Sequence, residues 1–470
     1  MRILTEAEMM GRVALDNPWW DGSRRDGGAP EAEMAALPRR AFFDTFLRRV
    51  SRAEGAPPLV LAGPRRVGKT VLIRQAIQRL LETGTPADAI AYAALDAPAV
   101  QGLSLDRLVV ALRGRAPGAG LVVLDAIHHA RGWEEQLPAI AAAHPDARIV
   151  AVSSGGARRE VPAGCEEFVL PPLTFAEYLR LTGAERDLIE PMFFGKGTPM
   201  YVVHDVAALN ARFLHYINGG GFPEALLLRS HGDAARLLRT EVLGALLHQD
   251  LPGLTSIGGT AELNALLLLL ARNTGREVSI EGIAERAGIA KNTIRRYLDY
   301  LEASFLIVRM ARVHPEGGRF QRMRTFKIHL TTPCLYAALF GPVAADDPVL
   351  PALAESAVVG QWLASRELPR LHYARLPEGP VDLVSLSAEN GRPSWACALA
   401  GIDAAVTDGA TINGLIQFAK RNAPLRWVGA TTQTAASLKA HDGVEVWHRP
   451  ASQYCYEVGR RVADEVGSGG

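Results

Sequence analysis

Cysteine is scarce in this 470-residue chain: Cys165, Cys334, Cys397 and Cys455 are the whole set, and none stands in a C-x-x-C pair. Their separations suit neither a zinc site nor a secreted disulfide framework, so buried reduced thiols are the simplest reading. A charge excess of either sign is also lacking. Lys plus Arg total 51 against 50 Asp plus Glu, a formal net charge of +1. That excludes a polybasic coat for indiscriminate nucleic-acid binding and leaves room only for a local patch. Long apolar runs are missing as well. The most apolar one, Ala265 to Ala271 with five leucines, is far too short to cross a bilayer. The first residues carry Glu6 and Glu8 and no apolar stretch of signal-peptide type. These absences predict a cytoplasmic protein without a membrane partner.

What is present is globular. Hydrophobic residues make up 48% and charged residues 21%, a balance that excludes a mainly disordered chain. The length suggests roughly three domains of about 150 residues each. The sharpest local pattern is Gly63-Pro64-Arg65-Arg66-Val67-Gly68-Lys69-Thr70, which fits G-x-x-x-x-G-K-[ST]. An apolar run, Pro58 to Ala62, precedes it, and Leu72, Ile73, Ala76, Ile77 and Leu80 follow at helical spacing. Strand, glycine loop and helix are the context this motif requires. Glycines let backbone N–H groups surround phosphate oxygens, and the helix N-terminus favours negative charge. Gly63 to Thr70, with Val71, are therefore the candidate nucleotide-binding residues. Lys69 is expected at the β- and γ-phosphates and Thr70 at Mg²⁺.

A second acidic element is expected at the tip of a parallel strand, and Leu121-Val122-Val123-Leu124-Asp125 supplies it. Asp125 is the candidate partner of Mg²⁺ through its water shell. A third apolar run, Ile149 to Val152, ends in Ser153-Ser154-Gly155-Gly156, where a polar group is placed to sense a γ-phosphate. Alternation of such strands with helical stretches (Glu134 to Ala142) implies a doubly wound parallel sheet, with ligand at the C-terminal strand ends.

With these pieces in order, the chain resembles the prokaryotic AAA-type ATPases that carry a C-terminal region of unknown function. The matching segments are Asn17-Pro18-Trp19-Trp20, the glycine loop, the Asp125 strand followed by Gly132-Trp133, Pro172-Leu173-Thr174-Phe175-Ala176-Glu177-Tyr178, Gly220-Gly221-Phe222-Pro223-Glu224, and Glu355 near Val358. The tryptophans and the Gly-Phe-Pro-Glu segment also read as packing and turn geometry. The resemblance implies an α/β fold: a P-loop parallel-sheet core of AAA type, then a winged-helix domain and a C-terminal α/β domain like the restriction endonucleases. It implies ATP and Mg²⁺ as cofactors. The expected divisions are 1–40 as an N-terminal extension, 41–185 as the P-loop domain, 186–260 as a helical lid or linker, 261–332 as the winged helix and 333–470 as the nuclease-like domain.

Departures from that family are concentrated in the chemistry. Glutamate is expected directly after the Mg²⁺ aspartate, to orient the attacking water, and Ala126 stands there. Cys165, following Gly164, replaces an expected arginine, and the usual Thr-Gly-Ser of the sensor strand reads Val152-Ser153-Ser154. A positioned base contributes about 10²–10⁴-fold, so no catalytic residue is assigned. His128, His129, Glu134 and Glu135 are the nearby candidates for a replacement base, and Arg158 and Arg159 for a replacement arginine.

Residues 261 to 330 read as a winged helix. Ser279 is a plausible N-cap, Gly288 marks the turn, and Ile294, Leu298 and Leu301 fall on one helix face. Lys291, Asn292, Arg295 and Arg296 then point outward and are candidate DNA contacts. A wing of Phe305 to Val313 and Arg324 to Leu330 carries Arg309, Arg312, Arg319, Arg322, Arg324 and Lys327 with only Glu316 opposing. Of these, Arg319, Arg322 and Arg324 join the candidate DNA contacts. The alternative is a domain used for subunit contacts. In the tail, Asp382 is a candidate metal ligand, but Ala396 and Ala398 occupy the places of the expected glutamate and lysine, so an inactive scaffold is expected. Val466 to Gly470 reads as a flexible end.

The expected function is a nucleotide-dependent switch: an ATP-binding protein with weak or absent hydrolysis and a candidate DNA-binding surface. Two alternatives remain. One is an active ATPase completed by groups from a neighbouring subunit of a homo-oligomer, and the other is a protein-interaction module with a relict nucleotide site.

Overall fold

Short apolar runs become strands buried on both faces, which is the pattern of a parallel sheet covered by helices. In the computed structural model, residues 6–21, 29–52, 55–98, 100, 103–116, 118, 120–154, 161–192, 200–228, 230–245, 260–320 and 325–468 are described. Five strands form the first sheet: β1 (Leu59–Ala62), β2 (Ile90–Ala94), β3 (Leu121–Asp125), β4 (Arg148–Ser153) and β5 (Glu166–Val169). All pairs are parallel, in the order β2-β3-β4-β1-β5. Leu59, Val60 and Leu61 in β1 and Val122, Val123 and Leu124 in β3 are almost fully buried. Their alternation with the helices Lys69–Glu82, Leu105–Arg115 and Trp133–Ala143 gives the expected α/β core.

The edge strand β2 is covered by the segment before the core. Asn17 Nδ2 donates to Tyr92 O at 2.7 Å, while Tyr92 N donates to Asn17 Oδ1 at 2.7 Å. One amide side chain thus mimics a neighbouring strand residue. The indoles of Trp19 and Trp20 donate to Ile90 O at 3.0 and 2.9 Å. Unpaired edge groups are thereby satisfied, which blunts the pairing hazard of an open edge.

The chain divides into two compact units, Met1–Leu170 with Val466–Gly470, and Pro171–Glu465. The expected divisions at 185/186 and 332/333 both fall inside the second unit. That unit holds a hairpin, β6 (Ile189–Met192) with β7 (Met200–Val203), and a nine-stranded sheet. The sheet comprises β8 (Arg276–Ser279), β9 (Ile307–Val313), β10 (Thr325–Leu330), β11 (Leu371–Leu376), β12 (Gly379–Leu386), β13 (Pro393–Ala398), β14 (Trp427–Thr432), β15 (Ser437–His441) and β16 (Val444–Pro450). The order is β15-β16-β14-β13-β12-β11-β9-β10-β8. The join is β9 to β11, which pair in parallel from His372↔Ala311 to Ala374↔Val313. Strands from two regions that read as separate domains therefore share one ladder.

Local signals hold within this unit. Ser279 caps the helix Ile280–Ala287 by accepting from Gly282 N, and Gly288 closes it at φ 67°. Ile294, Leu298 and Leu301 of the helix Lys291–Ala303 are fully buried. The Thr174 cap forms a reciprocal box with Glu177, two orphan donors satisfied at once. Phe175 N donates to Gln361 Oε1 at 2.9 Å, and Tyr216 OH donates to Leu173 O at 2.8 Å. A Cβ at Gly221 would lie 2.3 Å from Thr332 Oγ1 and 2.8 Å from Cys334 Sγ, so any other residue there would force these side chains to move. The Pro172–Tyr178 and Gly220–Glu224 segments thus serve packing and turn geometry. One expectation is corrected: the helix Ala451–Ser468 continues through Val466, Gly467 and Ser468, where a flexible end was expected.

Candidate nucleotide site

The loop after β1 is curled by three residues with positive φ, Gly63 at 156°, Arg66 at 64° and Gly68 at 91°. Gly63 is required sterically, because a Cβ there would sit 2.2 Å from Leu170 O. Arg40 Nη1 donates to Val67 O at 2.7 Å and fastens the loop from outside. Gly68 precedes the helix Lys69–Glu82 and gives it no side-chain cap, and the first N–H groups of a helix have no acceptor within it. Lys69 is buried, and its ammonium donates to Gly63 O at 2.9 Å and Pro64 O at 2.6 Å. Arg65 is half-buried, Val71 likewise, and Arg66 and Thr70 are exposed.

Asp125 stands at the end of β3, buried, with three donors on its carboxylate. Thr70 Oγ1 donates to Oδ2 at 2.9 Å, Tyr92 OH donates to Oδ2 at 2.6 Å, and Ala126 N donates to Oδ1 at 2.7 Å. The structure therefore brings together Lys69, Thr70 and Asp125 from two strand ends. Burial, followed by the Asp125 charge, raises the Tyr92 phenol well above its ordinary value. Arg74 lies over the Tyr92 ring, 3.7 Å from its centroid, and donates to Asp16 O at 2.7 Å. Tyr92 was not legible as a site residue. Its only local signal is a polar hydroxyl inside the apolar run Ile90–Ala94.

Strand order explains the convergence. β4 lies between β1 and β3, so its C-terminal end adjoins both the glycine loop and Asp125. Crevices beyond the carboxyl ends of parallel strands are where α/β sheets bind ligands. Residues 55–179 match the AAA domain family. This segment is an AAA-type nucleotide-binding domain. Further along, residues 210–345 match a family described as a domain of unknown function. An uncharacterized protein of Haemophilus influenzae is 21% identical over 263 residues, 53% of this chain, which spans 60% of that relative. A solved structure of Thermotoga maritima RuvB, a Lys-to-Arg mutant, aligns with 57% of this chain and 86% of its own at 16% identity. Its TM-score of 0.27 is too low to bear on the fold.

Beside the AAA-type site, the candidates for a replacement base do not reach the carboxylate. His128 and His129 lie in a tight turn after β3, and Glu134 and Glu135 in the first turn of Trp133–Ala143. None of the four bonds to Asp125 or Thr70 among the described residues. Ala126 adopts a left-handed φ of 56° and contributes its N–H alone. Burial raises the Cys165 thiol to about 11, which leaves it an unreactive neutral group in the place of the expected arginine. Gly155, Gly156, Arg158 and Arg159 lie outside the described residues, as do Arg322 and Arg324.

The basic face predicted for 291–327 divides in two. Lys291, Asn292, Arg295, Arg296 and Arg319 are exposed, with Arg295 donating to Asn292 Oδ1 at 2.7 Å and Lys291 3.4 Å from Glu281. The unopposed wing is corrected at two positions. Arg309 is paired with Asp299 at 2.7 Å and also with Glu302. Lys327 is buried, with its ammonium 2.8 Å from both Glu355 and Asp382. Arg312 donates to Arg375 O at 3.3 Å. Asp382 thus meets a lysine and a second carboxylate from elsewhere in the chain, and it also accepts from Leu399 N at 2.7 Å. Ala396 and Ala398 are buried in β13. No group of three or more His, Cys, Asp or Glu suited to a metal occurs among the described residues, and no helix there is long and apolar enough to cross a membrane.

Proposed function

We propose that the chain is an ATP-binding switch that holds MgATP and turns it over slowly or not at all. The observation that carries this reading is the Thr70–Asp125 contact of 2.9 Å beside a buried Lys69, with Ala126 where a base is needed. A hydroxyl and a carboxylate in contact are hard oxygen donors, the set that suits Mg²⁺. Thr70 would hold the ion and Asp125 its water shell, and the bound ion would neutralise phosphate charge. Lys69 would pair with the terminal phosphates and the Lys69–Glu82 helix N-terminus would orient them. Nothing at position 126 removes a proton from water, so binding and hydrolysis are uncoupled. Equilibrium titration with MgATP, together with phosphate release, tests this; rapid release dependent on Lys69 would refute it. An ATPase completed by a neighbouring subunit predicts turnover that rises with protein concentration. A relict site predicts no nucleotide binding.

A second reading rests on the exposed face of Lys291–Ala303. We infer that this part of the chain is a winged helix, with the nuclease-like tail as a scaffold, and that Lys291, Asn292, Arg295, Arg296 and Arg319 contact duplex DNA. Cations on one helix face are the footprint of phosphate contacts. Duplex binding at low salt, compared with and without ATP, tests it; no binding in either condition removes the reading.

A further inference from the structure

His128 follows Asp125 by three residues without bonding to its carboxylate. It lies in the turn after β3, and Ser154 N, at the end of β4, donates to its Nδ1 at 3.4 Å. A ring nitrogen that accepts carries no proton, so a neutral imidazole held this way has its proton on Nε2. The ring is neutral: burial, then the charges of His129, Lys69 and Arg65, drive it down to about 3. Nε2 is buried and has no hydrogen-bond partner among the described residues. Buried donors without an acceptor are rare in native proteins, and each calls for an explanation such as a ligand or a functional role.

The position narrows the explanation. The end of β4 adjoins both the glycine loop and Asp125, and after burial and the His129 charge, the loop's own Lys69 and Arg65 also depress the ring. A cationic loop beside an N–H donor selects an anionic oxygen as the missing acceptor. This tautomer excludes the role of replacement base, since Nδ1 is engaged and Nε2 already holds its proton. We propose that the Nε2–H of His128 donates to the terminal phosphate of a bound nucleoside triphosphate, so that the site distinguishes triphosphate from diphosphate. The inference rests on the nucleotide-binding reading and adds to it the group that reads the switch. It places His128, in the turn after the strand carrying Asp125, as the link between phosphate occupancy and Ser154 just beyond β4.

The test uses the full-length protein with Mg²⁺ and either ATP or ADP. His128→Ala is expected to lose about tenfold or more in ATP affinity with ADP affinity unchanged, as for a hydrogen bond to a charged group. His128→Gln, whose amide also carries an N–H, is expected to keep most of the preference. In wild-type protein with ¹⁵N-labelled histidine, the Nε2–H resonance of His128 is expected to shift with ATP and not with ADP. A proton found on Nδ1, equal losses of ATP and ADP affinity in the variants, or an unchanged preference in His128→Ala would overturn the inference. The wild-type resonance decides the matter if the alanine variant does not fold. Wild-type protein that binds neither nucleotide would remove the nucleotide reading itself. Wild-type binding with the preference unaltered in the variant would remove this inference alone.

Discussion

Tyr92 OH donates to Asp125 Oδ2 at 2.6 Å, the same oxygen that Thr70 Oγ1 reaches at 2.9 Å. The phenol therefore holds one oxygen of the carboxylate in place from the neighbouring strand. Tyr92→Phe keeps the ring beneath Arg74 and deletes only the donor. The expected result is a stability loss of about 1–3 kcal/mol, the range for a buried bond to a charged group. ATP affinity in Mg²⁺ should weaken several-fold while affinity in EDTA stays unchanged. Equal weakening in both conditions would show that the hydroxyl does not act through Asp125.

Ala126 stands where the family resemblance leads one to expect a glutamate, and its backbone serves Asp125 through a 2.7 Å bond. Ala126→Glu adds the group without removing that N–H, since the backbone is unchanged in kind. Phosphate release should rise at least about tenfold, toward the 10²–10⁴-fold that a positioned base supplies. Single-turnover measurement with radiolabelled ATP reads this directly. Unchanged release with undiminished binding would mean that more than the base is lost.

The cluster of Lys327, Glu355 and Asp382 sets a pH dependence of stability. Burial pushes Glu355 up to about 7, with Lys327 opposing and Asp382 adding to the rise. Burial alone would lower Lys327, but Asp382 and Glu355 hold it above its ordinary value. Between the unfolded glutamate value of about 4.3 and about 7, the folded chain binds more protons at Glu355 than the unfolded chain. Its contribution to stability is therefore fully present below that window, falls as pH rises through it, and is level above. The stability difference between wild type and Glu355→Gln should shrink from pH 5 to pH 7 in denaturant titrations. A difference that grows over that range would contradict the assignment. Lys327→Met, which leaves both carboxylates without their cation, should cost about 3–5 kcal/mol.

Arg295 and Arg296 are exposed on the helix Lys291–Ala303. If they contact phosphates, Arg295→Ala with Arg296→Ala should weaken duplex binding for all sequences alike. The slope of log affinity against log salt should fall by about one per cation removed. Anisotropy titrations over a salt series measure both. A loss confined to one DNA sequence would point to base readout instead.

The glycine loop and the Asp125 strand were legible because their signals are local, a fixed spacing and an apolar run ending in a carboxylate. The cap at Ser279 and the buried face of Ile294, Leu298 and Leu301 were legible for the same reason. What was not legible depends on partners far apart in the chain. Asn17 and Tyr92 are 75 residues apart, and nothing near either announces the pairing. Lys327 read as a wing cation because it belongs to a run of basic residues with only Glu316 opposing. In β10, however, Phe326 through Leu330 are all buried, so the lysine must find its counter-charges inside. Those lie 28 and 55 residues away, at Glu355 and Asp382. The join of β9 to β11 escaped the domain divisions likewise, since parallel pairing leaves no turn signal between the strands.

The most direct test of the central claim is paired measurement of MgATP binding and phosphate release on wild-type protein and Lys69→Ala. The account predicts saturable binding in wild type that falls at least about tenfold in the variant, as expected when a charged phosphate contact is lost. It also predicts phosphate release in wild type barely above that of the variant. Brisk release from wild type that Lys69→Ala abolishes would contradict the claim of a switch without hydrolysis, and absence of binding in wild type would contradict the claim of a switch.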